Sequence, residues 1–319
     1  ENIRRIDFHY YREIGCAYGP MGRNVDDLIL ICKSLFGEFK GEFLDCDVVP
    51  KVWKEEEYNL RKTRKLRIGY TFESDHCEPC PAVRNALNET IEKLKARGHT
   101  LIEVKHDFTN KFYFLGLGIM SPYGIGTNVR KLLKGEKPGF YYALQLVLLF
   151  FPRFIQKFFT FFCKVIGQKL FGRLLESMAP LKVNEFYDKI LLRDWLKDDV
   201  IDMWESYQLD GLLSPVLPFT AIKHYYSEAV SSFIGGTLLY NMLGAPAGSV
   251  PIRRVRKDEQ YYHLKSKDLP YLAVKKNIEG SEGLPVSVQV AAMNFQDEKC
   301  LAIMKEIEEC FNFHELTDI

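Results

Sequence analysis

Apolar residues recur at helical spacing near the start of the chain, at Val25, Leu28, Ile29, Cys32, Leu35 and Phe36. Residues three and four positions apart lie on one face of an α-helix, so this pattern predicts an amphipathic helix with one buried side. Asn24 can cap its amino terminus, and Gly37 can end it. Asp26 and Asp27 stand in the first turn, where negative charge stabilises the helix dipole.

After residue 65 the pattern changes to a short apolar strand, a helix and a second strand. Leu66–Tyr70 predicts the first strand, Pro81–Arg97 the helix, and Thr100–Val104 the second strand. Two strands joined by a helix usually pair in parallel, through a crossover that is right-handed by default. The preceding stretch, Lys51–Lys65, is charged and rich in lysine, and we expect it to be a connector.

The second half of the chain again alternates strands and helices. Its predicted elements are the buried strand Leu209–Leu213, the apolar helix Ser231–Leu243, the strands Ser249–Arg253 and Pro285–Ala291, and the closing helix Asp297–Cys310. Lysine, tyrosine and aspartate crowd the stretch Arg254–Glu282, which predicts an exposed excursion between two strands. No internal repeat is visible, so one α/β domain over residues 1–319 is the economical description.

The stretch Phe140–Met178 is much richer in Phe, Leu, Ile and Val than the rest of the chain, and no Asp or Glu occurs between Tyr141 and Leu175. Polar and basic residues at Arg153, Gln156, Lys157, Thr160, Lys164 and Gln168 follow helical spacing, opposite Phe154, Phe158, Phe161, Phe162 and Val165. A membrane-spanning helix needs about 20 unbroken apolar residues. Because Pro152, Arg153 and Lys157 interrupt the run, a spanning helix is not expected.

The same stretch instead predicts a basic amphipathic helix that lies in the plane of the lipid headgroups. Its predicted membrane contacts are Arg153, Phe154, Lys157, Phe158, Phe161, Phe162 and Lys164. The alternative is a buried helical hairpin, because phenylalanine at helical spacing is found more often in a core than on a membrane.

Composition limits the classes of function. The 319 residues are 47% hydrophobic and 27% charged with a formal net charge of +1, so no global charge favours nucleic acid. Eight cysteines without a repeating pattern favour reduced thiols and an intracellular setting. The chain begins with Glu1, and Glu1–Arg12 contains no signal peptide, so we expect a chain that begins within a longer protein.

Short motifs that could carry chemistry are weak. The string HCEPC at residues 76–80 has the spacing of a redox pair before a helix, but a structural loop is the simpler interpretation. The string GSEG at 280–283 misses the spacing of a nucleophile turn by one residue. Ser231-Ser232 precedes Gly235-Gly236, the one place where a serine pair stands near glycines. These glycines lie within an apolar helix, so helix packing explains them better than a catalytic role. The histidines lack the spacing of a metal site, and no metal is expected.

Five strings occur in the order expected of one enzyme family. They are GPMGRNVDDL at Gly19, LRIGY at Leu66, DGLLSPVLP at Asp210, TLLYNMLGAPAGSVPI at Thr237 and GLPVSVQVAAMNFQDEKC at Gly283. Together they resemble the amidase signature family, and the amphipathic region and the Tyr240-Asn241 pair look most like its fatty acid amide hydrolase branch. The resemblance implies a mixed β-sheet covered by helices, incomplete here, with residues 140–178 as an inserted helical membrane cap.

The family resemblance also implies a mechanism based on a Lys, Ser, Ser triad and a glycine-rich oxyanion loop. Those residues belong to a Gly-Gly-Ser-Ser-Gly-Gly region that precedes the GPM element, and nothing in Glu1–Pro20 matches it. We therefore expect this chain to be the carboxy-terminal part of a serine amidase and to be inactive alone. No catalytic residue and no cofactor is assigned within it.

By position along the matched motifs, the resemblance implies an acyl pocket lined by Met120, Leu146, Leu174, Met178, Ser231, Ile234, Leu238 and Phe295. Each of these residues could equally be plain core, because apolar pockets and cores share one composition.

The leading hypothesis is hydrolysis of long-chain fatty acyl amides at an internal membrane resembling the endoplasmic reticulum. A non-catalytic, lipid-binding or membrane-associated paralogue is the alternative, and a soluble amidase for small amides is a third. The expected partners are a lipid acyl amide and a membrane surface, with no nucleic acid. The family resemblance further implies a homodimer.

Overall fold

The computed structural model describes residues 13–14, 19–37, 51–74, 76–120, 122, 153–227, 229–311 and 313, and it builds them around a five-stranded mixed sheet. The strands are β1 (Arg67–Tyr70), β2 (Thr100–Glu103), β3 (Gly211–Ser214), β4 (Ala247–Arg254) and β5 (Pro285–Ala291). Their spatial order is β2-β1-β3-β5-β4. β1 pairs in parallel with β2 and β3, whereas β5 runs antiparallel to β3 and β4.

Helices cover this sheet. Those described are α1 (Val25–Gly37), α2 (Glu55–Thr63), α3 (Pro81–Ala96), α4 (Phe108–Met120), α5 (Arg153–Val165), α6 (Lys169–Ser177), α7 (Val183–Tyr207), α8 (Gly235–Leu243), α9 (Leu269–Ile278) and α10 (Asp297–Phe311). α10 packs on β4 and β5 and also contacts α1, α2 and α3. Its apolar face, formed by Leu301, Met304 and Ile307, is buried as predicted.

Two glycines allow α10 to approach the sheet closely. A Cβ on Gly211 would collide with the side chain of Ile303, and a Cβ on Gly248 would lie 2.5 Å from the sulfur of Met304. Since neither strand can carry a side chain at these points, α10 packs directly on the backbone of the sheet.

The predicted elements with clear periodicity are confirmed. In α1 the backbone N–H of Asp27 donates to Asn24 Oδ1 at 2.9 Å, which is the expected N-cap, and Val25 and Ile29 are buried. Leu35, which the pattern placed on the same apolar face, is exposed. The parallel pairing of the two strands is also confirmed, with α3 lying between β1 and β2 in the chain.

Two stretches that the composition marked as exposed contain helices that bury some of their side chains in the core. The expected connector Lys51–Lys65 includes α2, whose Tyr58 is buried against the core. The expected excursion Arg254–Glu282 includes α9, whose Val274 and Ile278 are fully buried. These two apolar residues are four positions apart and share one helical face, but the surrounding lysines hide that short period.

Two further predictions, the helix Ser231–Leu243 and the amphipathic region, are only partly matched by the described residues. The expected helix Ser231–Leu243 is divided into a 3-10 turn, Ser231–Phe233, and α8. Gly236, in the first turn of α8, lies close to the loop after β3, because a Cβ there would lie 2.9 Å from the Val216 carbonyl oxygen. The amphipathic region forms α5 and α6, while residues 140–152 lie outside the described residues. No described helix is both long and apolar enough to cross a bilayer.

A buried ion pair joins the 3-10 turn Lys257–Glu259 to the body. Both carboxylate oxygens of Glu259 accept hydrogen bonds from the Arg253 guanidinium, at 2.8 and 2.9 Å. Asn85 on α3 and the backbone N–H of Arg256 donate to the same carboxylate. Burial raises the pKa of Glu259, but these hydrogen bonds outweigh it and lower that pKa to about 2.

We expect Glu259→Gln to destabilise the chain by about 1–3 kcal/mol at neutral pH, because Arg253 loses its buried charged partner. The folded pKa lies below the ordinary value of 4.5, so the stabilisation is present above pH 4.5 and disappears as the pH falls towards about 2. Urea unfolding of both proteins over this range measures the difference. The exposed Glu279→Gln is the matched control. A difference that does not shrink on acidification would contradict the assignment.

Candidate functional site

α5 presents an exposed aromatic surface. Phe154, Phe158 and Phe161 are 72%, 69% and 65% exposed, and Phe162 is about half exposed. Their spacing places them on one side of the helix. The described residues of the chain leave these four rings largely uncovered.

The opposite side of α5 packs on α6 through small residues. Thr160 and Cys163 are buried in this contact. A Cβ on Gly172 would lie 3.2 Å from both the Cys163 Cβ and the Thr160 carbonyl oxygen. Gly172 therefore permits a close crossing of α5 and α6, and this crossing directs the phenylalanines outwards.

Basic residues surround the aromatic surface. Lys157 and Lys164 are exposed on α5, and Lys164 Nζ pairs with Glu176 Oε2 on α6 at 2.8 Å. Arg153 begins α5. On α6, the Arg173 guanidinium lies 3.9 Å from the centre of the Phe114 ring. The Lys164 pair is exposed on both sides and so contributes little stability, which leaves the lysine available to other anions.

Polar contacts attach the pair α5–α6 to α9. The backbone N–H of Leu170 donates to Asp268 Oδ2 at 2.6 Å. Gln168 Oε1 accepts from the backbone N–H of Leu269 at 2.8 Å, and its Nε2 donates to the Lys267 carbonyl oxygen. Burial raises the pKa of Asp268, although the backbone N–H groups at the start of α6 oppose that rise.

Five of the eight expected pocket residues belong to the main apolar cluster, which is the hydrophobic core shared by most of the described helices and strands. Leu174, Met178 and Leu238 are buried in it, and Met120 and Ile234 pack against it. A Cβ on Gly116 of α4 would lie 2.9 Å from Leu238 Cδ2, so α4 and α8 are in close contact. Their role as an acyl pocket remains a prediction.

Of the other three expected pocket residues, Ser231 and Phe295 are described. The Ser231 carbonyl oxygen accepts a hydrogen bond from Tyr113 Oη at 3.3 Å. Phe295 is 66% exposed in the turn between β5 and α10 and has a positive φ of 63°. Leu146 lies outside the described residues. The structure therefore does not bring Phe295 into the cluster.

Sequence reasoning missed an aromatic group around His76. The His76 ring lies 4.8 Å from the Phe114 ring, 5.4 Å from Tyr113 and 6.3 Å from Phe233, measured between centroids. Burial, with a smaller contribution from Arg173, lowers the pKa of His76 to about 4. The sequence contains little sign of this group, because the aromatic partners of His76 are distant from it along the chain. The one local feature was that His76 lies just before a predicted helix.

The HCEPC string behaves as a structural loop. Cys80 is the N-cap residue of α3, and its backbone N–H donates to the Pro218 carbonyl oxygen at 2.7 Å. Burial raises the pKa of the Cys80 thiol to about 11, which opposes the thiolate that redox chemistry needs. Across the described parts of the chain, no group of three or more His, Cys, Asp or Glu residues is placed to hold a metal ion.

A family model described as Amidase matches residues 11–301. The chain belongs to the amidase family. Fatty-acid amide hydrolase 1 of Sus scrofa is 31% identical over 297 residues, which make up 92% of this chain and 50% of that protein. Fatty acid amide hydrolase 1 of Caenorhabditis elegans is 27% identical over 300 residues, or 91% of this chain and 50% of that protein.

The fold agrees with this amidase assignment. A solved fatty acid amide hydrolase superposes with a TM-score of 0.71 at 23% identity, covering 94% of this chain and 49% of that one. At that identity the superposition supports the mixed α/β fold and nothing finer. The chain spans about half the length of the curated relatives it matches.

We expect Asp268→Asn to loosen the attachment of α5 and α6 in this amidase chain. The neutral amide is a weaker acceptor for the Leu170 N–H than the carboxylate. Amide hydrogen exchange should therefore accelerate at the start of α6 and remain unchanged in β3 and β5. Asp258→Asn, on an exposed side chain, is the control. Unchanged exchange in α6 would show that Asp268 does not anchor the two helices.

Proposed function

We propose that this chain forms the acyl-binding and membrane-docking part of a fatty acid amide hydrolase-like serine amidase. In this proposal the complete enzyme hydrolyses long-chain acyl amides at the surface of an internal membrane. The exposed phenylalanine surface of α5 is the observation that carries the proposal. The similarity of the chain to fatty acid amide hydrolases from two animals supports fatty acyl amides as the proposed class of substrate.

The exposed rings favour a lipid surface energetically. Burying a phenylalanine side chain is worth roughly 1.5–3 kcal/mol, and Phe154, Phe158 and Phe161 each keep most of their surface exposed. A surface lysine or arginine adds about 1 kcal/mol towards anionic lipid. Lys157 and Lys164 stand beside the rings and can contribute in this way.

α6 connects this surface to the apolar cluster. Leu170, Leu174 and Met178 are buried on its inner side, whereas Arg173 is exposed. An acyl chain that leaves the bilayer beneath α5 and α6 would therefore reach the cluster without crossing water. We propose Met120, Leu174, Met178, Ile234 and Leu238 as its lining.

The chemistry of this proposal is acyl transfer to a serine. The serine oxygen attacks the amide carbonyl, the amine leaves with a proton, and water then hydrolyses the acyl-enzyme. We assign the nucleophile, the bridging serine and the lysine base to residues outside these 319, which contain no Gly-Gly-Ser-Ser-Gly-Gly string. The proposed chemistry uses no metal or organic cofactor.

A double substitution, Phe158→Asp with Phe162→Asp, should weaken binding to anionic vesicles at least about tenfold, because it removes two apolar contacts and adds two negative charges. Co-sedimentation with vesicles measures the loss. Leu30→Asp with Val52→Asp alters two other exposed apolar residues and serves as the control. Undiminished binding of the phenylalanine variant would refute the docking surface.

Activity tests the catalytic half of the proposal. The 319 residues alone should hydrolyse neither long-chain nor short-chain acyl amides. A protein reconstructed with an in-frame upstream Gly-Ser-Ser-Gly block and lysine should hydrolyse long-chain acyl amides faster than short-chain ones. Turnover by the 319 residues alone, or equal rates for both chain lengths, would contradict the proposal. Lipid binding without turnover by the full protein would favour a non-catalytic paralogue.

A further inference from the structure

α9 begins beside the carboxyl end of α5. Gln168 follows α5 after Ile166 and Gly167, and its Oε1 accepts a hydrogen bond from the backbone N–H of Leu269 at 2.8 Å. Its Nε2 donates to the Lys267 carbonyl oxygen at 3.3 Å. The side chain of one residue thus holds the first turn of α9 against the turn that follows the exposed phenylalanines.

Two apolar side chains near the start of α9 are exposed. Leu269 is 54% and Leu272 is 40% exposed, and residues three positions apart lie on the same side of a helix. The opposite side of α9 is fixed in the core, because Pro270, Val274 and Ile278 are buried. Burial of this inner side therefore turns Leu269 and Leu272 outwards.

The exposed apolar residues of α9 continue those of α5. Val165 and Ile166 at the end of α5 are both more than half exposed. They precede Gln168 by two or three positions, and Gln168 is bonded to the backbone of Leu269. Apolar side chains therefore flank both sides of this contact, and the phenylalanine surface of α5 extends across it to α9.

Basic residues are concentrated in the same two segments. Residues 153–177 and 261–278 contain nine lysines and arginines but only two acidic residues, Glu176 and Asp268, although the whole chain has a formal net charge of +1. Asp268 is buried, and its carboxylate is directed towards the start of α6. The exposed part of this region is therefore strongly positive.

The residues directly before α9 place part of this charge next to the leucines. Lys265 and Lys267 are both exposed, whereas Leu264 and Ser266 between and before them are partly buried. Lysines that surround exposed leucines match an anionic lipid surface, because the ammonium groups meet the headgroup charge while the apolar side chains enter the layer below. Charge complementarity therefore selects an anionic membrane as the partner.

We propose that Lys265, Lys267, Leu269 and Leu272 form a second lipid-contacting edge, continuous with the phenylalanine surface of α5, and that its partner is a membrane containing anionic lipid. This inference rests on the proposed function, because it assumes that α5 docks on a membrane. It extends that function by naming the headgroup charge of the membrane and a second element that contacts it.

Binding to two kinds of vesicle tests the contribution of charge. The probes are vesicles of phosphatidylcholine alone and vesicles that also contain phosphatidylserine, and co-sedimentation measures binding of the whole chain. The unmodified chain should bind the anionic vesicles at least about tenfold more tightly. Lys265→Glu with Lys267→Glu should remove most of this preference, because two attractive charges become repulsive, and should change binding to the neutral vesicles by less than about twofold.

Leu269→Asp tests the apolar contribution. It should weaken binding to both kinds of vesicle about tenfold, because a carboxylate replaces a side chain that would enter the apolar layer. Leu269→Met keeps an apolar side chain and should retain binding. An acidic residue is favourable in the first turn of a helix, so α9 should persist in the aspartate variant, and amide hydrogen exchange in α9 checks this.

Matched controls place the same kinds of substitution on α1 and α2. Leu30→Asp alters an exposed leucine of α1, and Lys54→Glu with Lys62→Glu reverses two exposed lysines at the start and within α2. These variants should bind both kinds of vesicle within about twofold of the unmodified chain, because their positions lie on other elements.

Three results would overturn the second edge. The first is normal binding by the α9 variants when Phe158→Asp with Phe162→Asp loses binding, which would leave only the docking of α5. The second is equal affinity of the unmodified chain for both kinds of vesicle. The third is normal vesicle binding by Leu269→Asp with a lower mass in sedimentation, which would make the edge a contact between copies. Failure of the unmodified chain to bind any vesicle would reject the proposed function together with this edge.

Discussion

The close contact between α10 and the sheet determines where the other elements can lie. Gly211 and Gly248 leave space for Ile303 and Met304 directly on the strands. Under this helix, β5 pairs with both β3 and β4 and so joins the parallel part of the sheet to the antiparallel part. Buried Glu306 on α10 forms an ion pair with Arg61 of α2, and its carboxylate lies 3.2 Å from His99 Nε2 before β2. One helix thereby fixes the position of both edges of the sheet.

Elements whose apolar residues follow one period could be predicted from the sequence. α1 and α10 show a helical stripe, and β1, α3 and β2 follow each other with clear stops between them. α2 and α9 could not be predicted, because α2 buries only Tyr58 among charged residues and the four buried residues of α9 lie in a stretch crowded with lysine, tyrosine and aspartate. The close approach of the Val216 carbonyl oxygen to Gly236 of α8 joins residues that are distant in sequence. Local periodicity carries no information about such contacts.

The same distinction applies to the candidate site. The exposed aromatic side of α5 is a local pattern, and its residues were predicted from spacing alone. By contrast, His76 gains its environment from Tyr113, Phe114 and Phe233, which lie far along the chain. Phe295 was placed in the pocket by its motif, but its turn with positive φ directs the ring towards solvent. Motif position identifies the element, whereas the backbone conformation decides where the side chain points.

The crossing of α5 and α6 at Gly172 has a mechanical consequence. Because the two helices touch along this contact and are tied to α9 near Asp268, they form one packed unit. A tilt of the outer helix at an interface would displace Leu174 and Met178 on the inner one. The exposed phenylalanines of α5 and the buried side chains of α6 are thereby joined through a single crossing.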